Sequence, residues 1–381
     1  MPEQPVLARR QPERFQRVGV GRVPHPGHRQ EGDGGAEGWG LGHGGRVRGA
    51  RRRPGEVAAG LGADGDPVLD AWGGFRDAAR TLPWERDTIV NVWSTTKTMV
   101  ALCALLLADR GELELDAPVA GYWPEFAAAG KGEVRVRHLL GHTAGLPDWG
   151  RPITAAELYD GPAVTAALAA PAPAWEPGTV AGYHAVTFGF LLGEVIARVS
   201  GRSVGRFFAD EVAAPLGADF HIGLAAEHDH RVAELVPDPT GDSPDGFPVG
   251  VSDANTAAWR RAEIPAINGH GNARSVALVQ SVLACGGSVG GKRLLSAAGA
   301  ERVFDEQFAG TDLVLGQPIR WGLGYRLENR TCSWGGWGGS VVLADAEQRM
   351  AVAYTMNQVL WQDGYGRGLE VVFAAYDGLV S

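Results

Sequence analysis

Apolar and polar positions recur with different periods along this chain, and the changes of period divide it into elements. A continuous apolar stretch from Thr88 to Trp93 runs almost directly into a longer one from Met99 to Ala108. The first has the length of a buried strand and the second that of a helix, so the junction predicts a strand feeding a helix. Over 187–199 apolar residues return at Phe190, Leu191, Val195 and Ile196, the spacing of one buried helical stripe. Further helices are predicted over 135–140, 154–159, 162–169, 273–284 and 369–380, the last with Val371, Val372, Ala375 and Tyr376 inward. Strand patterns occupy 321–327, 338–343 and 350–356, and the polar turn 345–349 joins the last two into an antiparallel meander. A turn and a hairpin strand are read over 64–74, and 222–265 is acidic, proline-containing and aperiodic, the pattern of a long surface excursion. No internal repeat or heptad run is present.

Residues 1–62 follow none of these periods. They hold 15 Gly and 6 Pro against only 10 Leu, Ile, Val and Phe together, the composition of a disordered or low-complexity segment. A natural flexible extension would account for this, and so would a reading-frame error in a GC-rich gene. The second is the better fit, because Arg, Gly, Ala and Pro codons are what a shifted GC-rich frame produces. The match to G-x-G-x-x-G at 40–45 has neither a strand before it nor a helix after it, so no dinucleotide cofactor is expected.

Charge separates the same two regions. The first 62 residues carry 11 Arg against 6 acidic residues, whereas the remainder has 24 basic against 38 acidic residues. So acidic a body excludes nucleic acid as the expected partner. With 381 residues, 45% hydrophobic and 21% charged, the chain can bury one large core or two modest ones. No stretch approaches the ~20 apolar residues of a membrane span, and the signal-peptide pattern is missing, so a cytoplasmic protein without a membrane partner is expected. Cys103, Cys285 and Cys332 are too scattered for a disulfide framework or a structural zinc and read as small buried apolar residues. No histidine pair has metal-ligand spacing.

Candidate chemistry begins at the strand-to-helix junction, where Ser94-Thr95-Thr96-Lys97 puts a hydroxyl at a helix N-terminus and an amine one turn on. A serine hydroxyl needs a neighbouring base, and Lys97 can serve only when neutral. Moving a lysine pKa from about 10.4 to about 7 takes about 4 kcal/mol, from burial and neighbouring positive potential. The whole chain contains only three lysines, Lys97, Lys131 and Lys292, against many arginines, which marks this one. Tyr183-His184-Ala185 stands before the 187–199 helix, and a tyrosine can act as a general base when cations lower its pKa. Trp334-Gly335-Gly336-Trp337 precedes a predicted strand, where consecutive glycines admit another backbone or a ligand.

Taken together and in order, these elements resemble the serine β-lactamase superfamily, with His142-Thr143-Ala144-Gly145-Leu146 between the first two. Within it the chain is most similar to the family VIII carboxylesterases, over roughly residues 64–381. The resemblance implies an α+β fold of the β-lactamase/transpeptidase type: an antiparallel sheet flanked by helices, plus an all-helical domain. On this sequence that implies an α/β domain over 63–120 and 315–381 and a mostly helical domain over 121–314. It further implies Ser94 as the acylated nucleophile, and Lys97 and Tyr183 as general base and acid, leaving open which takes the first proton. The backbone N–H groups of Ser94 and Trp337 would form the oxyanion hole. Class C β-lactamases carry Tyr-x-Asn and Lys-Thr-Gly, whereas Ala185 and Trp334 stand at those places here. Without the amide partner and the cation, a neutral short- or medium-chain ester is the expected small-molecule substrate. Trp149, Trp334, Gly335, Gly336 and His270 are expected to line its site, with no metal or cofactor.

Rival readings remain on the same chain. Acyl transfer to an alcohol or amine, β-lactamase or D,D-peptidase activity, and a non-catalytic ligand-binding module all fit the scaffold. Gly286-Gly287-Ser288-Val289-Gly290 matches the nucleophile elbow G-x-S-x-G, but a helix precedes it and a turn follows, the reverse of what an elbow requires. His142, His184 and His270 could each be proposed as a serine-hydrolase base, but the resemblance implies that the motif holding His142 is structural, and His270 is expected in the cleft lining.

Overall fold

The computed structural model describes residues 57–239, 247–361 and 364–379. The glycine- and arginine-rich stretch 1–56, with its G-x-G-x-x-G match and the expectation of disorder or a frame error, lies outside the described residues. Residues 57–62 do not belong with that stretch, because they form a strand.

That strand, β1 (Val57–Ala63), makes a hairpin with β2 (Asp66–Gly73) through Asp64 and Gly65, both at positive φ. A two-residue Asp-Gly turn of this kind matches the right-handed twist of the strands it joins. A small three-stranded sheet has β3 (Val90–Asn91), β5 (His270–Gly271) and β4 (Phe220–His221) side by side. A hairpin of β6 (Ser288–Val289) and β7 (Lys292–Arg293) follows. The remaining strands are β8 (Phe308–Thr311), β9 (Pro318–Trp321), β10 (Arg326–Glu328), β11 (Thr331–Gly335), β12 (Val341–Asp345) and β13 (Met350–Met356). The large sheet runs β2-β1-β13-β12-β11-β10-β9-β8 with every pair antiparallel, so the first hairpin docks on the last strand.

Alternation along β12 and β13 sends side chains to two faces. Val341, Leu343, Met350 and Val352 pack with Val372 of the C-terminal helix Gly366–Leu379. Val342, Ala344, Ala351 and Ala353 join the main core, where helix Ala273–Ala284 crosses β1, β12 and β13. Helix Thr96–Asp109 is buried on every side for its first 12 residues, and it packs on helix Thr187–Ser200. Its apolar run is therefore continuous rather than amphipathic.

The structure moves several expected boundaries. The 321–327 strand is broken, because Gly322-Leu323-Gly324 leaves the sheet, Gly324 at φ +87°. A Cβ on Gly324 would lie 2.3 Å from Ala101 Cβ, so helix Thr96–Asp109 presses against the chain there. The 338–343 strand starts only at Val341, since Gly338 (φ +73°) and Gly339 (φ +119°) turn the chain. The mostly helical region does not run to 314: helix Ala273–Ala284 lies on the large sheet and β8 belongs to it. Nor is 222–265 only a surface excursion, for it contributes helices Val251–Ala254 and Ala257–Arg261 and the fully buried Trp259 and Ile264. No helix among the described residues is long and apolar enough to cross a membrane.

Candidate active site

Ser94 is the middle residue of a single 3-10 turn, Trp93–Thr95, that feeds helix Thr96–Asp109. Short polar side chains pin this turn. Thr96 Oγ1 donates to Trp93 O at 2.6 Å and accepts from Gly269 N at 2.9 Å, while Val92 N donates to Gly269 O at 2.9 Å. Ser340 Oγ donates to Val92 O at 2.8 Å and lies 3.0 Å from Thr95 Oγ1. Trp93, held at φ +50°, packs its indole against Trp259 and Trp337. The residue before the hydroxyl is thus fixed in a left-handed conformation by rings on two sides.

Lys97 is completely buried, and its Nζ has three polar neighbours: Ala185 O at 2.7 Å, Ala266 O at 3.1 Å and Ser94 Oγ at 3.1 Å. Among the described residues no carboxylate pairs with it. Burial therefore holds the amine well below its ordinary pKa. A neutral amine has two N–H donors and one lone pair; the carbonyls take the donors, which leaves the lone pair for the Ser94 O–H.

Tyr183 Oη donates to Ser94 Oγ at 2.9 Å, and the Lys97 amine lies 5.0 Å from the centre of its ring. Burial pushes the phenol above its ordinary pKa, against the pull of the bond to Ser94. Lys97 and Tyr183 are thereby shifted in opposite directions, one toward the free amine and the other toward the intact phenol. A group held toward its free base and one held toward its protonated form thus stand on either side of one hydroxyl.

Gly336 explains the glycine pair at the end of β11. A Cβ there would lie 2.2 Å from Val92 O, 2.3 Å from Ser340 Oγ and 3.2 Å from Ser94 N. Only a glycine lets this backbone pass so close to the Ser94 amide, and Trp337 N follows immediately. On Gly335 a Cβ would run into the Tyr365 ring at 2.3 Å. Trp334 sits 5.9 Å from Tyr183 and 5.2 Å from Trp321 between ring centres, part of an aromatic wall behind the phenol.

Two residues expected to line the site are placed elsewhere. Trp149 gives its indole N–H to Val164 O at 3.0 Å and packs edge-on against Phe190, committed to the core of the helical region. His270 has no exposed surface; it lies in β5, between Asn91 of β3 and His221 of β4, and burial lowers its pKa to about 3. A ring enclosed between two strands cannot touch substrate.

The decoys resolve in the same terms. His184 uses both nitrogens, Nδ1–H toward Gly182 O at 2.6 Å and Nε2 accepting from Leu146 N at 3.1 Å, so it has no free position for a serine proton. His142 Nδ1 accepts from His184 N at 3.1 Å and the ring is fully buried. Ser288 stands in the β6–β7 hairpin after helix Ala273–Ala284, which is not an elbow. Among the described residues no group of His, Cys, Asp and Glu is arranged to hold a metal ion.

The sequence reading missed the two carbonyls that cradle Lys97, because backbone atoms carry no sequence signature. It also missed β11, although Thr331-Cys332-Ser333-Trp334 alternates polar and apolar in the expected way. Asp312, buried beside Tyr183, gave no signal beyond a lone acidic residue ahead of Leu313-Val314-Leu315.

The family model described as Beta-lactamase matches residues 31–375. The chain is similar to the esterase/beta-lactamase LipL of Mycobacterium tuberculosis (strain ATCC 25618 / H37Rv), 34% identical over 348 residues, covering 81% of this chain and 78% of that protein. Among solved structures it resembles a family VIII carboxylesterase, with 42% identity, a TM-score of 0.79 and coverage of 84% of this chain and 92% of that one. A penicillin-binding protein homolog from Caulobacter crescentus is similar at 35% identity and a TM-score of 0.76, again over 84% and 92% of the two chains.

Proposed function

The chain belongs to the beta-lactamase family, whose members similar to it include esterases and a penicillin-binding protein homolog, and on that premise we propose that it hydrolyses neutral short- to medium-chain carboxylic esters through an acyl-enzyme on Ser94. The observation that carries the reading is the environment of Lys97 Nζ: two carbonyl oxygens and the Ser94 hydroxyl, with no countercharge among the described residues.

As Ser94 Oγ attacks the ester carbonyl, its proton passes to the Lys97 lone pair. The new ammonium keeps all three neighbours as acceptors, so the cradle that favours the free amine also accommodates the charged product without rearrangement. Negative charge on the former carbonyl oxygen is met by the backbone N–H groups of Ser94 and Trp337, a reading supported by the close approach of the neighbouring Gly336 to Ser94 N. The C–O bond to the alcohol then breaks, and Tyr183 delivers a proton to the departing oxygen, being re-protonated from Lys97. Water repeats the sequence on the acyl-Ser94 ester, giving the carboxylic acid and free serine.

Trp334 favours a neutral substrate, because it puts an indole where a class C β-lactamase has a lysine. The aromatic wall of Trp334, Trp321 and Tyr183 favours apolar groups. The deciding experiment is hydrolysis of p-nitrophenyl acetate and butyrate beside nitrocefin, with Ser94→Ala as control. Ester turnover that is lost in Ser94→Ala, with little nitrocefin turnover, is the expected result. Preferential nitrocefin cleavage would overturn it in favour of a β-lactamase, and ester formation with an added alcohol would favour a transferase. A folded protein with no turnover and no labelling by a fluorophosphonate would leave only a binding module.

A further inference from the structure

Asp312 is a carboxylate with no exposed surface, in the turn between β8 and β9. Four N–H donors converge on it. Oδ1 accepts from Tyr183 N at 3.0 Å and from Val314 N and Leu315 N at 2.9 Å each, and Oδ2 accepts from the Trp321 indole at 3.0 Å. The bonds to Val314 and Leu315 are what an aspartate at the head of any turn makes. The other two are not local: Tyr183 is 129 residues away in the chain, and Trp321 reaches in from the end of β9.

Both distant partners lead to the same phenol. Trp321 stacks on the Tyr183 ring, with 6.2 Å between centres and 14° between planes. A backbone bond from Leu313 N to Ala181 O at 2.8 Å stitches the same turn to the segment that carries Tyr183. We infer that Asp312 is a positioning residue for Tyr183, aiming its hydroxyl at Ser94 Oγ by anchoring both the tyrosine backbone and the indole plane on which its ring rests. Burying a carboxylate is costly unless it is hydrogen-bonded, and here four donors, three on Oδ1 and one on Oδ2, offset that cost. Its negative charge also disfavours a phenolate at Tyr183, which keeps the proton on the oxygen that is to donate it.

The inference rests on the reading of Tyr183 as the proton donor to the leaving alcohol, and the test separates the two. Donation matters for a poor leaving group such as ethoxide and little for p-nitrophenolate, which departs unprotonated. The quantity to measure is kcat/KM, which reports steps through acylation, for ethyl butyrate and p-nitrophenyl butyrate. The proteins are the wild type, Tyr183→Phe, Asp312→Asn and Trp321→Phe, each checked for folding by thermal melting.

Asparagine keeps an acceptor for the backbone donors but presents N–H to the Trp321 N–H and removes the charge. Asp312→Asn is expected to lose about 10- to 100-fold on ethyl butyrate, as a small misplacement of a catalytic group does, and under about threefold on p-nitrophenyl butyrate. Trp321→Phe, which keeps a ring but frees Oδ2, should show the same selectivity at smaller size. Equal losses on both esters, or none, in a folded Asp312→Asn would overturn the inference, since a merely structural role does not distinguish leaving groups. If Asp312→Asn does not fold, Trp321→Phe decides by the same criterion. A Tyr183→Phe protein without leaving-group selectivity would overturn the Tyr183 role itself; selectivity there but not in Asp312→Asn would overturn only the assignment of Asp312.

Discussion

Lys97 Nζ stands 3.1 Å from Ser94 Oγ, and its remaining polar neighbours are the carbonyl oxygens of Ala185 and Ala266 rather than a carboxylate. A carboxylate would hold the proton on the amine; two carbonyls orient it without doing so. Replacing Lys97 by Met should therefore abolish ester turnover, by about a thousandfold or more, as should Ser94→Ala. In the wild type, activity should decline as pH falls through the depressed pKa of Lys97, because the protonated amine cannot accept the serine proton.

The same burial has a cost in stability. Unfolded, Lys97 binds its proton up to a pH of about 10.4, whereas in the fold it releases it at lower pH. Between those values the unfolded state binds more protons, so stability rises with pH. Lys97→Met removes this slope and should raise the melting temperature at neutral pH by a few degrees (~2–5 °C) while eliminating catalysis, a trade seen by thermal melting at several pH values.

Gly336 tests the oxyanion site separately from the proton relay. Its added Cβ would displace Val92 O or Ser340 Oγ and push the backbone away from Ser94 N. Gly336→Ala should cost about 10²-fold or more in kcat, the scale of a lost oxyanion donor, while the Lys97–Ser94–Tyr183 contacts are retained. A Gly336→Ala enzyme with wild-type kcat would show that the close approach is unnecessary.

His184 and His270 predict acid lability. Both rings are buried, with pKa values lowered to about 4 and about 3 from an ordinary 6.5. Below about 6.5 the unfolded chain binds protons that the fold refuses, so stability falls as pH drops toward those values, by about 3 kcal/mol for His184 alone. The melting temperature should decline from pH 7 to pH 4. His270→Phe should flatten that decline and leave kcat/KM at neutral pH within about threefold, because the ring does not reach the substrate.

Much of this protein was legible before its structure. The helix over Ala273–Ala284 has the bounds that its apolar spacing predicts, and helix Thr187–Ser200 differs by one residue at its end. Strands were harder. The Trp321 to Leu327 run reads as one strand by composition, yet it breaks at Gly322, which faces Val303 O, and at Gly324, which faces Ala101 of a helix distant in sequence. The expectation for His270 failed for a related reason: a glycine-flanked histidine has the pattern of a cleft lining, and only its pairing with Asn91 and His221 reveals that it is enclosed.

The sequence by itself determined that Ser94 and Lys97 meet, because they lie one helical turn apart and need only a local helix to do so. The fold class came from the family resemblance that the motifs at Ser94, Tyr183 and Trp334 carry, while the helical and strand periods placed individual elements. Tertiary structure alone decided the division of roles. Tyr183 is 89 residues from Ser94, and Ala266 O is 169 residues from the amine that it orients. Proton affinities depend on desolvation and on backbone dipoles converging from such distances, and no local pattern encodes either. The buried Asp312 belongs to the same class: its meaning lies in two partners that only the folded chain brings to one carboxylate.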